Sequence, residues 1–257
     1  MTLRERIREY WDRKPCNSWW PEVGWNYTEH KKLVEPHIWE WSQFPTWEGK
    51  RVLDLGCGIG TMSLEFAKAG AEVWALDMSP QSLNIAMERG RDYPNLHFVL
   101  EDAEGFNLDP VVPALLPKDV PAQESFDLVY SFGVLHHTPD PLKALRRAYY
   151  HLYPDGQLYI MMYHRWGWKR IIRGRPEAQS GCPLVTYWTP KSVTKLLREA
   201  GFEPYDFQVR HIFPYVGKLY GQGIFKVAFP WSVLPGWMYR WAERHLGQHL
   251  LVKARKA

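Results

Sequence analysis

Cysteine is scarce in this 257-residue chain: Cys16, Cys57 and Cys182 are an odd number without regular spacing. That excludes a disulfide scaffold and a closed Cys-rich zinc site, and a reducing, cytoplasmic setting is expected. Charge of one sign is lacking too. Lys and Arg total 32 against 28 Asp and Glu, a net charge of +4, far from the dense positive stripe of a dedicated nucleic-acid binder. No long apolar run exists either. The longest, Gly223 to Tyr239, is broken by Lys226, Pro230 and Pro235. This excludes the unbroken helix of roughly 20 residues that crosses a bilayer, and leaves contact with a membrane surface open. The first residues carry Arg4, Glu5, Arg6, Arg8 and Glu9 where a secretory signal needs apolar side chains, so no export is expected. Internal repeats are absent, and 46% hydrophobic with 23% charged residues is ordinary globular usage, so the chain is expected to fold.

What is present in excess is tryptophan. Of 14 Trp, seven fall within residues 1–47, only Trp74 lies between 48 and 165, and six follow from Trp166 onward. The middle therefore differs from both ends. It reads as short apolar runs (Arg51 to Leu55, Ala71 to Leu76, Leu96 to Leu100, Phe126 to Ser131, Gly156 to Tyr163) separated by amphipathic stretches. The helices between them have legible ends. Ser79 before Pro80 is an N-cap, Gly70 and Gly90 are stops, and Leu142, Leu145, Tyr149 and Leu152 mark one apolar face. Such alternation predicts an α/β fold, a parallel sheet with helices on both faces. Pro110, Pro113, Pro117 and Pro121 make residues 104–125 a surface excursion rather than a helix. The N-terminal arm opens on a capping box, Thr2 with Glu5, and a second helix is expected over Tyr27 to Phe44 with a break near Pro36. Beyond the fifth strand, a helix over Pro190 to Ala200, a strand over 203–210, a helix over Trp237 to Leu246 and a last strand over His249 to Ala254 are expected.

The strongest chemical signal is Val52-Leu53-Asp54-Leu55-Gly56-Cys57-Gly58-Ile59-Gly60. A buried strand runs into three alternate glycines and then a helix, so backbone passes close to a ligand and helix N-terminal N–H groups point at it. The spacing is G-x-G-x-G, whereas a dinucleotide pyrophosphate is seated by G-x-G-x-x-G, which favours a different nucleotide-like cofactor. Asp77 closes the second strand about 20 residues later, where a carboxylate can accept both hydroxyls of a ribose. Glu101-Asp102 ends the third strand on the same sheet edge, where Asp102 can receive an exocyclic amine.

These residues resemble the class I S-adenosylmethionine-dependent methyltransferases, over roughly residues 45–165 and again from Lys191 to Val209. The resemblance implies a Rossmann-like sheet of seven mostly parallel strands with S-adenosylmethionine as cofactor. Asp54, Gly56, Gly58 and Gly60 would hold its methionine part, Asp77 the ribose, and Asp102 with Ala103 the adenine. Met78 and Ser131 are placed at the same site, and Cys57 reads as a small residue required by close packing on the cofactor. Phe126 to Ser131 looks like the family's fourth strand. Leu152-Tyr153-Pro154-Asp155-Gly156 looks like its turn before the fifth, with Asp155 where glycine is commoner. In this family the arm and the late insertions choose the acceptor. The expected division is thus an arm or lid (1–44) and a methyltransferase domain (45–257), with aromatic lid insertions at 164–189 and 211–247.

Transfer from a sulfonium asks mainly for in-line alignment and, for a protonated acceptor, removal of a proton. Leu135-His136-His137-Thr138-Pro139-Asp140 follows the fourth strand, and His136 resembles the general base of small-molecule O-methyltransferases. Its neighbour His137 and the pair Tyr163-His164 are further candidates; the other reading is imidazoles packed under the cofactor. Ser131-Phe132-Gly133-Val134 stands where a methyltransferase of exocyclic amines shows Asn or Asp, two prolines and an aromatic residue. A cysteine nucleophile at Pro15-Cys16 is misplaced in the arm. His136 makes oxygen the favoured acceptor atom, with nitrogen and sulfur, which need less help from a base, left open, on a small or medium metabolite.

Tyr27, Tyr163, Arg165 and Trp166 are the candidate acceptor contacts, and no metal ligands are assigned. Arg165, Lys169, Arg170, Arg173 and Arg175 lie beside Trp166 and Trp168. They read first as a solvated helix face, and otherwise as a grip on an anionic or aromatic acceptor, on lipid head groups or on single-stranded nucleic acid. The alternatives are an enzyme acting on a lipid-like acceptor at a membrane surface and a non-catalytic cofactor-binding accessory protein. The oligomeric state is not legible.

Overall fold

Strand β1 (Arg51–Leu55) sets the plan, because its side chains alternate between two separate cores. Leu53 and Leu55 face a core completed by α6 (Pro141–His151) and α8 (Pro190–Glu199), through Ala144, Leu145, Ala148, Val193 and Leu197. Val52 faces the opposite core, completed by α4 (Thr61–Lys68) and α3 (His37–Ser42). The computed structural model describes residues 1–16, 26–108, 125–173, 181–215, 219, 222 and 224–257. Pro110, Pro113, Pro117 and Pro121, Arg175 and the side chains of Lys169 and Arg173 lie outside the described residues.

Seven strands form one sheet in the order β3-β2-β1-β4-β5-β7-β6. They are β1, β2 (Glu72–Asp77), β3 (Leu96–Leu100), β4 (Phe126–Phe132), β5 (Leu152–Tyr163), β6 (Phe202–Arg210) and β7 (His249–Lys256). The first five are parallel, and β7 runs antiparallel between β5 and β6. The order reverses between β1 and β4, which places a ligand crevice outside their carboxyl ends. Since β7 is antiparallel, its first residue, His249, pairs with Tyr163 at the end of β5 and Arg210 at the end of β6, and so stands on that same edge.

The remaining helices are α1 (Leu3–Arg13), α2 (Tyr27–Val34), α5 (Pro80–Gly90), α7 (Trp168–Arg173) and α9 (Gly236–Leu246). The Thr2–Glu5 capping box starts α1, and Pro36 separates α2 from α3. Two details differ from the periodicity. Leu152 leaves the helical face, caps α6 and opens β5, and residues 153–156 bulge out of register with β4, with Gly156 where a Cβ would lie 2.8 Å from Leu152. The tryptophans of residues 37–47 are not an overhanging arm. Trp41 and Trp47 are buried with Tyr159 under the sheet, and Ser42 Oγ meets Tyr130 Oη at 2.9 Å. Of the arm, α1 and α2 both border the crevice, through Ile7, Trp11, Tyr27 and Lys31.

Candidate active site

The crevice is a cavity of about 390 Å³ whose wall runs from the glycine corner to the ends of β5 and β7. The corner is shaped by backbone. Gly56 and Gly58 have φ of +79° and +56°, and the N–H groups of Gly56 and Cys57 both donate to the Leu76 carbonyl, at 2.7 and 2.9 Å. A Cβ on Gly56 would lie 2.3 Å from a Val134 methyl, whereas one on Gly58 would meet nothing within 4 Å and would project into open space. The bareness at Gly58 leaves room for a ligand to lie against backbone on the cavity wall.

Three carboxylates stand along this half. Asp54 is buried and accepts from Ser63 Oγ at 2.5 Å. Burial pushes its pKa up to about 7, with Ser63 opposing. Asp77 accepts from the N–H of Gly58 at 2.8 Å through one oxygen and from that of Ser79 at 2.9 Å through the other. Burial raises it as well, and these amides oppose the rise. The second lone pair on each oxygen stays available for a diol. Asp102 accepts from the Glu104 N–H at 2.8 Å and pairs with Arg4 at 3.0 Å. An exocyclic amine at Asp102 would therefore share that oxygen with Arg4. Helix α1 is pinned at both ends, by Arg4 on Asp102 and Glu104, and by Asp12, which accepts from Ser79 Oγ at 3.1 Å and Gln81 N–H at 2.9 Å. Between these pins Ile7 and Trp11 close over the cavity.

The other half is walled by Tyr27, Phe132, Tyr163 and Phe213 and carries Lys31, Glu35, His137, His211 and His249. His137 Nδ1 donates to the Leu184 carbonyl at 2.7 Å, which leaves Nε2, itself buried at the cavity wall, as the unprotonated nitrogen, and its ring meets Trp11 with centroids 5.2 Å apart. Glu35 accepts from Lys31 Nζ at 3.0 Å. Burial would raise the Glu35 pKa, but Lys31 and three neighbouring histidines outweigh it and hold the carboxyl well below its usual range. Burial, reinforced by His211, pushes His37 down to about 3.

Asp54, Gly56, Cys57, Gly58, Asp77, Met78, Asp102, Ala103, Tyr27, Tyr163 and His137 all reach the cavity wall. Gly60 and Ser131 lie behind it; Ser131 Oγ donates to the Leu55 carbonyl at 3.0 Å and ties β4 to β1. The thiol of Cys57 is raised far above its ordinary pKa by burial and so stays protonated. His136 is fully buried and stacked on Tyr163 at 3.8 Å, and neither ring nitrogen has a hydrogen-bond partner among the described residues. Burial, with His137 beside it, holds His136 well below its ordinary pKa. His164 Nδ1 donates to the Gly247 carbonyl at 3.1 Å, away from the cavity. Arg165 and Trp166 are exposed and stack on each other, and Arg170 Nη1 donates to the Arg165 carbonyl at 2.8 Å. The cluster of Glu35, His37, His211 and His249 was not legible in sequence. His37 and His249 are 212 positions apart yet in hydrogen-bond contact.

A sequence profile for a methyltransferase domain matches residues 41–206, more than half of the chain. The chain belongs to the class I S-adenosylmethionine-dependent methyltransferases. The methyltransferase is similar to the ubiquinone biosynthesis O-methyltransferase of Ralstonia nicotianae, 28% identical over 213 residues, 79% of this chain and 83% of that one. To the enzyme of the same name from Haemophilus ducreyi it is 31% identical over 153 residues, 58% of this chain and 61% of that one. Among solved structures, magnesium protoporphyrin IX methyltransferase from Synechocystis with bound S-adenosylhomocysteine has a TM-score of 0.63 at 14% identity, covering 99% and 100% of the two chains. The 1,6-didemethyltoxoflavin-N1-methyltransferase of Burkholderia thailandensis has a TM-score of 0.56 at 18% identity, over 99% and 87%. At these identities the solved structures speak for the fold. The methyltransferase uses S-adenosylmethionine and a small-molecule acceptor. No helix among its described residues is long and apolar enough to cross a membrane.

Proposed function

We propose that this methyltransferase methylates a hydroxyl oxygen of a small, ring-bearing metabolite, with His137 taking the hydroxyl proton. The observation that carries this reading is the continuity of one cavity from the Gly58–Asp77 cradle to an aromatic wall bearing a tautomer-fixed imidazole. The names of the 28–31% identical relatives support oxygen as the acceptor atom. When bound, S-adenosylmethionine supplies a methyl carbon already activated by its sulfonium. Asp77 accepts from the ribose hydroxyls and Asp54 borders the corner from below. Tyr27, Phe132 and Tyr163 hold an acceptor ring by area and exclude water. His137 Nε2 receives the acceptor proton while Leu184 keeps Nδ1 protonated, so the ring presents one fixed basic nitrogen. Alignment of this kind is worth roughly 7–11 kcal/mol of barrier for well-oriented reactants.

The test is methyl transfer from labelled S-adenosylmethionine to matched phenols, amines and thiols. Turnover confined to phenols supports the reading, and turnover confined to amines or thiols overturns it. A second reading, a lipid-like acceptor taken from a membrane surface, rests on α9 and the loop before it. Phe229 is 80%, Trp237 66% and Trp241 57% exposed, beside exposed Arg240 and Arg244. Failure to co-sediment with anionic vesicles at low salt removes its support.

A further inference from the structure

Four side chains from three distant segments meet on the acceptor wall. His37 Nε2 lies 3.2 Å from His249 Nδ1. One ligand atom from each of Glu35, His37 and His249 lies within 4.8 Å of the other two. His211 stacks on His249 with centroids 4.5 Å apart, its Nε2 3.9 Å from Glu35 Oε1. We infer that Glu35, His37 and His249, with His211 beside them, bind a divalent transition-metal ion of the zinc or cobalt type, which orients and acidifies the acceptor hydroxyl.

The spacing is that of ligands. Two nitrogens each about 2.0 Å from a tetrahedral ion stand roughly 3.3 Å apart, close to the His37–His249 separation. A close pair of imidazole nitrogens needs a proton between them; an ion in that place uses both lone pairs. The donor set is two or three imidazoles and one carboxylate, which selects zinc, cobalt or ferrous iron over calcium or magnesium, both of which take oxygen. The surroundings orient the ligands. Lys31 holds Glu35 Oε2 and turns Oε1 toward the histidines. The Phe132 ring packs edge-on against His249 at 5.4 Å. Glu35, His211 and His249 line the cavity while His37 stands behind them, so a coordination position can open toward the acceptor.

The activating role rests on the proposed transfer to oxygen. There the acceptor O–H gives its proton to His137 and then to solvent, the new O–CH3 bond forms, and the C–S bond breaks with its electron pair left on sulfur. A nearby divalent charge lowers the hydroxyl pKa and favours the ionised oxygen.

The experiment uses the full chain dialysed against chelator, titrated with Zn2+ by calorimetry and with Co2+ by visible absorption. One equivalent with an intense tetrahedral Co2+ spectrum is expected, and His37→Ala and His249→Ala should each weaken binding at least tenfold. S-adenosylmethionine binding, measured in the same variants, reports that they are folded, and Glu35→Gln provides a milder third variant. Absence of binding in the wild-type protein, or binding untouched by all three variants, overturns the site. Equal phenol methylation with and without chelator overturns the activating role while leaving transfer to oxygen standing. If no phenol is methylated in any state, the oxygen reading fails, and the Co2+ spectrum still decides whether the site exists.

Discussion

The two halves of the cavity are built in opposite ways. The glycine-corner half comes from short local segments, residues 54–59, 77–78 and 101–103, each at the end of a strand, and it is acidic and backbone-lined. The aromatic half gathers single side chains from α1, α2, the loop after β4, the end of β5, the segment after β6 and the start of β7, and it is imidazole-rich. On the proposed function, seating a sulfonium nucleoside would fall to contiguous backbone geometry, and acceptor choice to whatever the tertiary fold brings across the crevice.

Substitutions that separate the halves test this contrast. The largest effect is expected for His137→Ala, about 10²–10⁴-fold in kcat with the cofactor Kd unchanged, read by steady-state kinetics beside calorimetry. An equal loss of cofactor affinity would mean the halves are not separable. Asp77→Ala removes charge-assisted hydrogen bonds of about 1.5–3 kcal/mol, so cofactor Kd should rise roughly 10- to 150-fold by calorimetry.

Stability against pH should also divide the halves. The folded pKa of Asp54 is raised to about 7 by burial, so the folded state binds its proton where the unfolded state does not. Its contribution is present below the ordinary carboxylate pKa and is lost as pH rises toward about 7, at up to about 1.4 kcal/mol per pH unit. His136 is lowered by burial, so stability is lost as pH falls below the ordinary histidine value. Thermal melts of the cofactor-free protein should show Asp54→Asn removing the loss toward neutral pH, and His136→Phe removing the loss toward acid. His136→Phe keeps the ring stacked on Tyr163 and should hold or raise stability at pH 7, because it deletes two unbonded buried nitrogens. The smallest effect on the cofactor is expected for Arg4→Ala, which frees one end of α1; Arg4 is 44% exposed, while its buried partner Glu104 keeps the Asp140 N–H as a donor. Faster amide exchange in α1 and a roughly two- to fivefold faster cofactor off-rate, followed by stopped flow, are the outcomes that check it.

The sheet strands and the glycine corner were legible because their signals are local: an apolar run, a glycine at fixed spacing, a carboxylate at a strand tip. Position 136 against 137 was not. The pair sits in a single 3-10 turn, Leu135–His137, and which imidazole faces the cavity depends on Tyr163 stacking over one and Trp11 meeting the other. The tryptophan excess read as a lid for a related reason. Composition marks Trp41 and Trp47 as large apolar groups, but only the packing of α3 against β5 through Tyr159 makes them core. The four residues Glu35, His37, His211 and His249 carry no motif, being one carboxylate beside a proline and three isolated histidines.

From its order of residues alone, the chain determined an alternating sheet and a bare glycine corner after its first strand, because strand periodicity and a left-handed glycine turn depend on near neighbours and hydrogen-bond geometry. The tertiary structure decided which imidazoles line the crevice and which are packed behind it. An antiparallel last strand returns His249 to the edge where the parallel strands end, and no local rule of chain stereochemistry carries information over that distance.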